Sequence, residues 1–268
     1  MRGTMAVRHH ETLPLGQRAP LLRLNHVDKV FGGDVVALKD MTLQVNQGDF
    51  ISLLGPSGCG KSTALRIISD LMHPTRGRVQ WEGEHGRGDL GVVFQEPTLM
   101  PWATVAQNVW LPFRLAGKSY SEVKDDVLEV LRLVGLEKFL NAYPRELSGG
   151  MKMRVSIARA IVTNPRLILM DEPFAALDEI TRHKLNNDLL TLKDQIGCTV
   201  IFVTHSVFES VFLSDRIVVM AARPGRVLTE LEVDAPYPRG EDFRTSAEYA
   251  AHARRASEAL KEAMGENA

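Results

Sequence analysis

The sequence is poor in cysteine, in excess charge of either sign and in long apolar runs. Its 268 residues include two cysteines, Cys59 and Cys198, far apart in the chain. That excludes the dense disulfide framework of a small secreted domain and points to a reducing, cytosolic compartment. Lys and Arg number 32 against 33 Asp and Glu, a formal net charge of -1. A nucleic-acid binder usually carries a strong basic excess, so no nucleic-acid partner is expected. The first twenty residues are polar and hold no apolar core of signal-peptide length. The longest apolar stretches, such as Ile217 to Ala222, are far too short to cross a bilayer. A soluble chain is expected, with any membrane role supplied by partners. No internal repeat is visible.

What is present fits one large domain, or one domain with an inserted lobe: 44% of residues are hydrophobic and 24% charged. Residues 1–20 read as a loose, flexible tail. Leu21–Phe31 and Val35–Val45 are β-rich runs joined by the turn signal Gly32-Gly33-Asp34. Phe50–Leu54 is a short apolar strand, and a helix is expected from Lys61 to about Leu71, before Pro74. Val92-Val93-Phe94 reads as a buried strand. From about Glu96 to Leu147 the pattern turns helical. Val123, Val127, Val130, Leu131 and Val134 share one helix face. Strands then alternate with helices: Leu167–Met170, a helix near Glu179–Asp194, and Thr199–Thr204. This alternation implies a parallel sheet. Arg216–Met220 and Arg226–Leu231 read as closing strands, and Ser246–Ala263 as a helix. Arg244, Arg254 and Arg255 are expected on its solvated face.

The apolar strand Phe50–Leu54 leads into Gly55-Pro56-Ser57-Gly58-Cys59-Gly60-Lys61-Ser62-Thr63. This fits G-x-x-x-x-G-K-[ST] in full, between a strand and a helix. Glycines let successive amides curl around a phosphate, and the helix start adds partial positive charge. Lys61 is expected to reach the β- and γ-phosphates and the Ser62 hydroxyl to ligate Mg²⁺, with Thr63 the weaker candidate. Taken alone, the loop leaves kinases, GTPases and many ATPases open.

Leu167–Met170 ends in Asp171-Glu172. A buried parallel strand delivers its last residues to the carboxyl edge of its sheet, where ligands bind. Acids there are commonly only solvated. Beside a phosphate loop, Asp171 is suited to hold Mg²⁺ and Glu172 to polarise an attacking water.

Leu147-Ser148-Gly149-Gly150-Met151 resembles the signature of ATP-binding-cassette (ABC) ATPases, usually LSGGQ. Other family elements occur in the family's order: Gln95 resembles the Q-loop glutamine, Ala176-Leu177-Asp178 the D-loop, and His205 the switch histidine. Phe31 stands where the family places an aromatic that stacks on adenine. The resemblance covers roughly residues 21–231. It implies an α/β fold: a P-loop NTPase core with a mostly parallel sheet and flanking helices, an N-terminal antiparallel β subdomain and an inserted helical subdomain. The ATPase domain is then expected at about 21–240, the helical subdomain at about 96–165 and a C-terminal helical tail at 241–268.

The resemblance further implies ATP and Mg²⁺ as ligands, with Gln95 joining Ser62 and Asp171 at the metal. Glu172, His205 and Gln95 are implied as catalytic. Two copies close head to tail on two ATP molecules, so that residues 147–151 act on the partner's nucleotide. Met151 departs from the usual glutamine, no glutamine precedes Arg154, and Ala175 replaces a common serine; these departures bear on fine contacts.

Pro101-Trp102-Ala103-Thr104-Val105-Ala106-Gln107-Asn108-Val109, Asp178–Arg182 and Asp215–Arg226 resemble the nitrate/sulfonate/taurine importer branch. That branch implies two permease subunits, touched by Pro101 and Trp102, and an extracytoplasmic substrate-binding protein. It also implies a peripheral place on the cytoplasmic face of the inner membrane. The competing readings are a soluble cassette ATPase of translation or DNA repair, and a small-molecule kinase. A single cassette with an insertion of ordinary size disfavours the first. The second leaves Leu147–Met151 unexplained.

Overall fold

The computed structural model describes residues 17–84 and 86–265. The chain opens with β1 (Pro20–Phe31), β2 (Val35–Asn46), β3 (Phe50–Leu54), α1 (Lys61–Ile68) and β4 (Arg76–Trp81). There follow β5 (Leu90–Val93), α2 (Val105–Leu115), α3 (Tyr120–Leu133), α4 (Gly149–Ile161), β6 (Leu167–Asp171) and α5 (Glu179–Ile196). The chain closes with β7 (Thr199–Thr204), α6 (Val207–Leu213), β8 (Arg216–Ala221), β9 (Arg226–Glu232), α7 (Glu241–Arg244) and α8 (Ala247–Met264). Two compact units result. One is Gly86–Cys198, and the other joins the segment before it to the residues from Thr199 onward.

In the second unit, β1 lies between β2 and β4 in an antiparallel sheet. β3 pairs in parallel with β7 on one side and β8 on the other, and β9 runs antiparallel beyond β8. β3 and β7 are buried along their whole length. That is why both read as unbroken apolar runs rather than as alternation.

An ionic cluster sits at the amino end of β3. Asp49, fully buried, accepts from Arg18 at 3.2 Å and Arg216 at 2.9 Å. Asp215 accepts from Arg18 at 2.8 Å and from the Phe50 amide at 2.9 Å. Arg18 and Pro20 are thus part of the fold, although the sequence reading placed them in the tail. Residues 1–16 of that tail lie outside the described residues.

In the first unit, β5 and β6 pair in parallel. α3 buries Val123, Val127, Val130 and Leu131, the face read from its period. α2 is capped by Thr104, whose hydroxyl accepts from the Gln107 amide at 3.3 Å while the Gln107 side chain accepts from the Thr104 amide at 2.9 Å. This unit is wider than the helical segment expected for about 96–165, because it takes in β5, β6 and α5.

Several elements differ from the sequence reading. α1 ends at Ile68 because Asp70 turns left-handed (φ 57°) and the Leu71 amide folds back to the Arg66 carbonyl at 2.9 Å. β4 and α6 were not expected. Arg76–Trp81 is largely exposed and lacks an alternating apolar set, and α6 has only seven residues. Arg244 does not sit on a solvated face: its guanidinium lies 3.4 Å over the Phe212 ring. Arg254 and Arg255 are exposed.

Candidate functional site

Each unit gathers its own set of the residues singled out by the sequence. In the second unit, β3 runs straight into the glycine-rich loop. Gly60 is the N-cap of α1 with φ 95°, and a side chain there would meet Leu38 Cδ2 at 2.6 Å and the Ala37 carbonyl at 2.9 Å. Only glycine satisfies both demands. Lys61 follows, 5% exposed, donating to the carbonyls of Gly55 at 2.8 Å and Pro56 at 3.1 Å. Its ammonium is thereby held inside the concavity formed by residues 55–60. Cys59 is buried beneath the loop as a free thiol; burial pushes its pKa up, with Lys61 pulling the other way. The first turn of α1 holds no acid. Its amides and the Lys61 cation therefore form a site for an anionic group, flanked by the Ser62 and Thr63 side chains.

Phe31 and His205 lie near this loop in the same unit. Lys29 is paired with Leu38, the residue that touches Gly60, and Phe31 stands two residues further along the same hairpin. The Phe31 ring is 40% exposed, with the Lys29 ammonium 5.3 Å from its centroid. An exposed π-face next to an anion site can take a flat heteroaromatic ring. Leu54 and Thr204 are partners in the β3–β7 register, so Gly55 and His205 leave the sheet side by side.

In the first unit, Val93 pairs with Met170. Gln95 and the pair Asp171-Glu172 therefore emerge at the same carboxyl edge. Glu172 has φ 47°, a left-handed backbone that is uncommon for a side chain of this size. Such outliers concentrate at functional sites.

The signature and the D-loop pack together here. Ser148 caps α4, its hydroxyl accepting from the Met151 amide at 3.3 Å, and the first turn has no acid. A methyl group on Gly149 would touch Leu177 at 3.4 Å, and one on Gly150 would strike Thr181 at 2.9 Å. Asp178 caps α5 by accepting from the Thr181 amide at 2.9 Å, a bond that holds its carboxyl below the usual range. Leu147 is buried, Met151 half-buried and Ala176 exposed.

Trp102, beside exposed Pro101, is 76% exposed. Two residues not singled out from the sequence fix this stretch. Asn108, fully buried on α2, accepts from the Met100 amide at 2.8 Å and donates to the carbonyls of Met100, Ala103 and Thr104. Arg159 of α4 donates to the carbonyls of Pro97 and Thr98, both at 2.9 Å. Asn108 lies in the stretch Pro101–Val109 quoted above but was given no role of its own there; its individual signal is a polar residue within the apolar set Val105, Ala106 and Val109. Beside this stretch lies a groove of about 580 Å³, lined by Phe94, Thr98, Leu111, Leu115 and Arg159 among others.

A family model described as ABC transporter matches residues 38–175. The aliphatic sulfonates import ATP-binding protein of Bacillus cereus is 42% identical over 84% of this chain and 91% of its own. The nitrate import ATP-binding protein of Synechocystis is 42% identical over 80% of this chain and 83% of its own. Among solved structures, a dimeric ATP-binding cassette in a post-hydrolysis state, bound to ADP and Pi, superposes with a TM-score of 0.69. It is 36% identical and covers 81% of this chain and all of its own.

Proposed function

Because the chain belongs to the ABC transporter family and is an ATPase of that family, we propose that it is the motor subunit of a membrane importer, working as two copies that close on two ATP molecules. One observation carries the paired mechanism. Among the described residues α1, α2 and α4 start without an acid in the first turn, and two of these starts, at Lys61–Thr63 and at Ser148–Gly150, fall on the phosphate loop and the signature, where each suits an anion. The first takes the chain's own ATP. The second serves the γ-phosphate of the partner's ATP, so hydrolysis is tied to closure.

Within each half-site, Lys61 exchanges its carbonyl partners for the β- and γ-phosphate oxygens, a charge-assisted replacement. Phe31 stacks on adenine. Glu172 orients and deprotonates the attacking water, and His205 and Gln95 contact the reacting phosphate. Ser62, Asp171 and Gln95 are all hard oxygen donors, the set that Mg²⁺ prefers. Among the described residues there is no cluster of three or more His, Cys, Asp or Glu that would cage a metal unaided. That suits an ion held largely by nucleotide phosphates and water. When bound, Mg²⁺ would neutralise phosphate charge.

The partners follow from the same reading. A short helix of each of two permease subunits occupies the groove lined by Phe94, Leu111 and Leu115, and the exposed Pro101 and Trp102 add to the contact. Leu115 is 80% exposed in this chain, which such a partner would cover. No helix among the described residues is long and apolar enough to cross a membrane, in keeping with a peripheral subunit on the cytoplasmic face. The sulfonate and nitrate importers among the relatives support a small anion, such as nitrate, a sulfonate or taurine, as cargo delivered by an extracytoplasmic binding protein. The ATPase domain spans about 21–240, with about 96–165 as its helical subdomain and 241–268 as a helical extension.

Glu172→Gln tests the mechanism. It keeps side-chain shape and removes the base. Mg·ATP is expected to convert this variant from monomer to a stable dimer on size-exclusion chromatography while hydrolysis stalls. Adding Ser148→Arg should abolish that dimer. Normal hydrolysis by Glu172→Gln would refute its assignment. Stalled hydrolysis without a dimer, with the permease present as well as absent, would refute the paired site.

A further inference from the structure

His205 lies in a short turn between β7 and α6, and that turn is braced from one side. The Thr204 hydroxyl accepts from the Ser206 amide at 3.0 Å and donates to the Glu209 carboxylate at 2.6 Å. The first bond closes the turn around His205. The second ties it to the first turn of α6. Ser206 adds a cap, its hydroxyl accepting from the Glu209 amide at 3.3 Å.

α6 is itself held by the C-terminal segment. The Tyr249 hydroxyl of α8 donates to the Phe208 carbonyl at 2.9 Å, and the two rings stack with centroids 6.3 Å apart. Tyr249 lies in the field of Glu209 and Arg244; burial pushes its pKa up, and Arg244 opposes this. The hydroxyl therefore stays a donor at neutral pH. At the other end of α6, buried Arg239 donates to the carbonyls of Val211 and Phe212, both at 3.1 Å, and of Ser214 at 2.9 Å. Arg244 covers the Phe212 ring. A seven-residue helix has little stability of its own, so its place depends on these contacts.

We propose that Glu209 and Tyr249 are positioning residues for His205, so that the C-terminal helix sets the hydrolytic competence of the switch histidine. The inference rests on the reading that His205 contacts the reacting phosphate. Transition-state contacts are steep in distance, and a shift near 1 Å can cost about a hundredfold in rate. Binding of nucleotide through Lys61 and Phe31 does not depend on this brace.

The test is steady-state ATP hydrolysis by the purified full chain, with kcat, KM and the thermal midpoint measured for each variant. Glu209→Ala should lower kcat roughly 10- to 100-fold with KM within about twofold. Glu209→Gln, whose amide oxygen still accepts from Thr204, should recover most of that loss. Tyr249→Phe keeps the ring and removes one bond, and should lower kcat roughly three- to tenfold. Thr204→Val removes both the bond to Glu209 and the acceptor of the Ser206 amide, so adding Glu209→Ala to it should be no worse than Thr204→Val alone. His205→Ala separates the two levels of the reading. If it is inactive while Glu209→Ala and Tyr249→Phe keep full kcat, the positioning role is wrong and the role of His205 stands. If it hydrolyses ATP normally, the reading of His205 falls and this inference with it. Where Glu209→Ala does not fold, Glu209→Gln and Tyr249→Phe decide. Parallel losses of kcat, KM and thermal midpoint in Tyr249→Phe, or in a folded Glu209→Ala, would mark a merely structural contact and overturn the proposal.

Discussion

Replacing Asn108 by alanine should loosen the segment that carries Trp102, and the structure sets the size of the effect. Asn108 serves four backbone groups, but two of them keep other partners. The Met100 carbonyl also accepts from the Ala103 amide, and the Thr104 carbonyl from the Asn108 amide. The truncation therefore strands the Met100 N–H and the Ala103 carbonyl. A buried group left without its partner costs about 1–3 kcal/mol, which gives roughly 2–4 kcal/mol for the pair once partial access of water to Met100 is allowed. For a domain of this size each kcal/mol moves the thermal midpoint by about 2–4 °C, so a drop of roughly 5–15 °C is expected in a thermal melt.

Two further measurements localise that loss. Chymotrypsin cleaves after aromatic residues, and exposed Trp102 is protected only by the fixed backbone around it. Cleavage after Trp102, followed by mass spectrometry, should speed up about 30-fold or more, the factor that 2 kcal/mol of easier opening provides. Asn108→Asp keeps the acceptor for the Met100 amide and sets a carboxylate against the three carbonyl oxygens. It should be less stable than Asn108→Ala at pH 7. Burial and repulsion raise the folded-state pKa of that acid above its unfolded value of about 3.9. Its penalty is then absent below pH ~4, grows as pH rises towards the folded pKa, and is partly relieved at pH ~5. A midpoint for Asn108→Ala within ~2 °C of the parent, with unchanged cleavage after Trp102, would refute the reasoning.

The other predictions concern the nucleotide and the permease. Phe31→Ala should raise the ATP concentration for half-maximal rate while Phe31→Trp is tolerated, since stacking needs a π-face; equal values for all three would remove Phe31 from the site. Trp102→Ala should leave the thermal midpoint nearly unchanged, because the side chain packs on little, yet weaken co-purification with the permease and lower uptake. Unaltered assembly and uptake would end its assignment as a contact.

What the sequence revealed and what it concealed differ in where the partners come from. The loop at Gly55–Thr63 was legible because its geometry is local: glycine backbone freedom, a strand before it and a helix after it, all within about fifteen residues. β3, β7 and the α3 face were legible because burial imposes a period on consecutive residues. β4 left no such trace, being mostly exposed. Arg18 was read as tail because Asp49 and Asp215, which hold it, lie 31 and 197 positions away. Asn108, Arg159 and Glu209 are quiet for a related reason. Each is an ordinary polar residue whose worth lies in particular carbonyls or a hydroxyl that it meets only once the chain is folded. The groups that touch nucleotide recur as motifs because phosphate chemistry demands particular atoms at fixed spacing. The groups that hold those atoms still can be supplied by any polar side chain of suitable reach, so their positions follow from the tertiary structure and not from a motif.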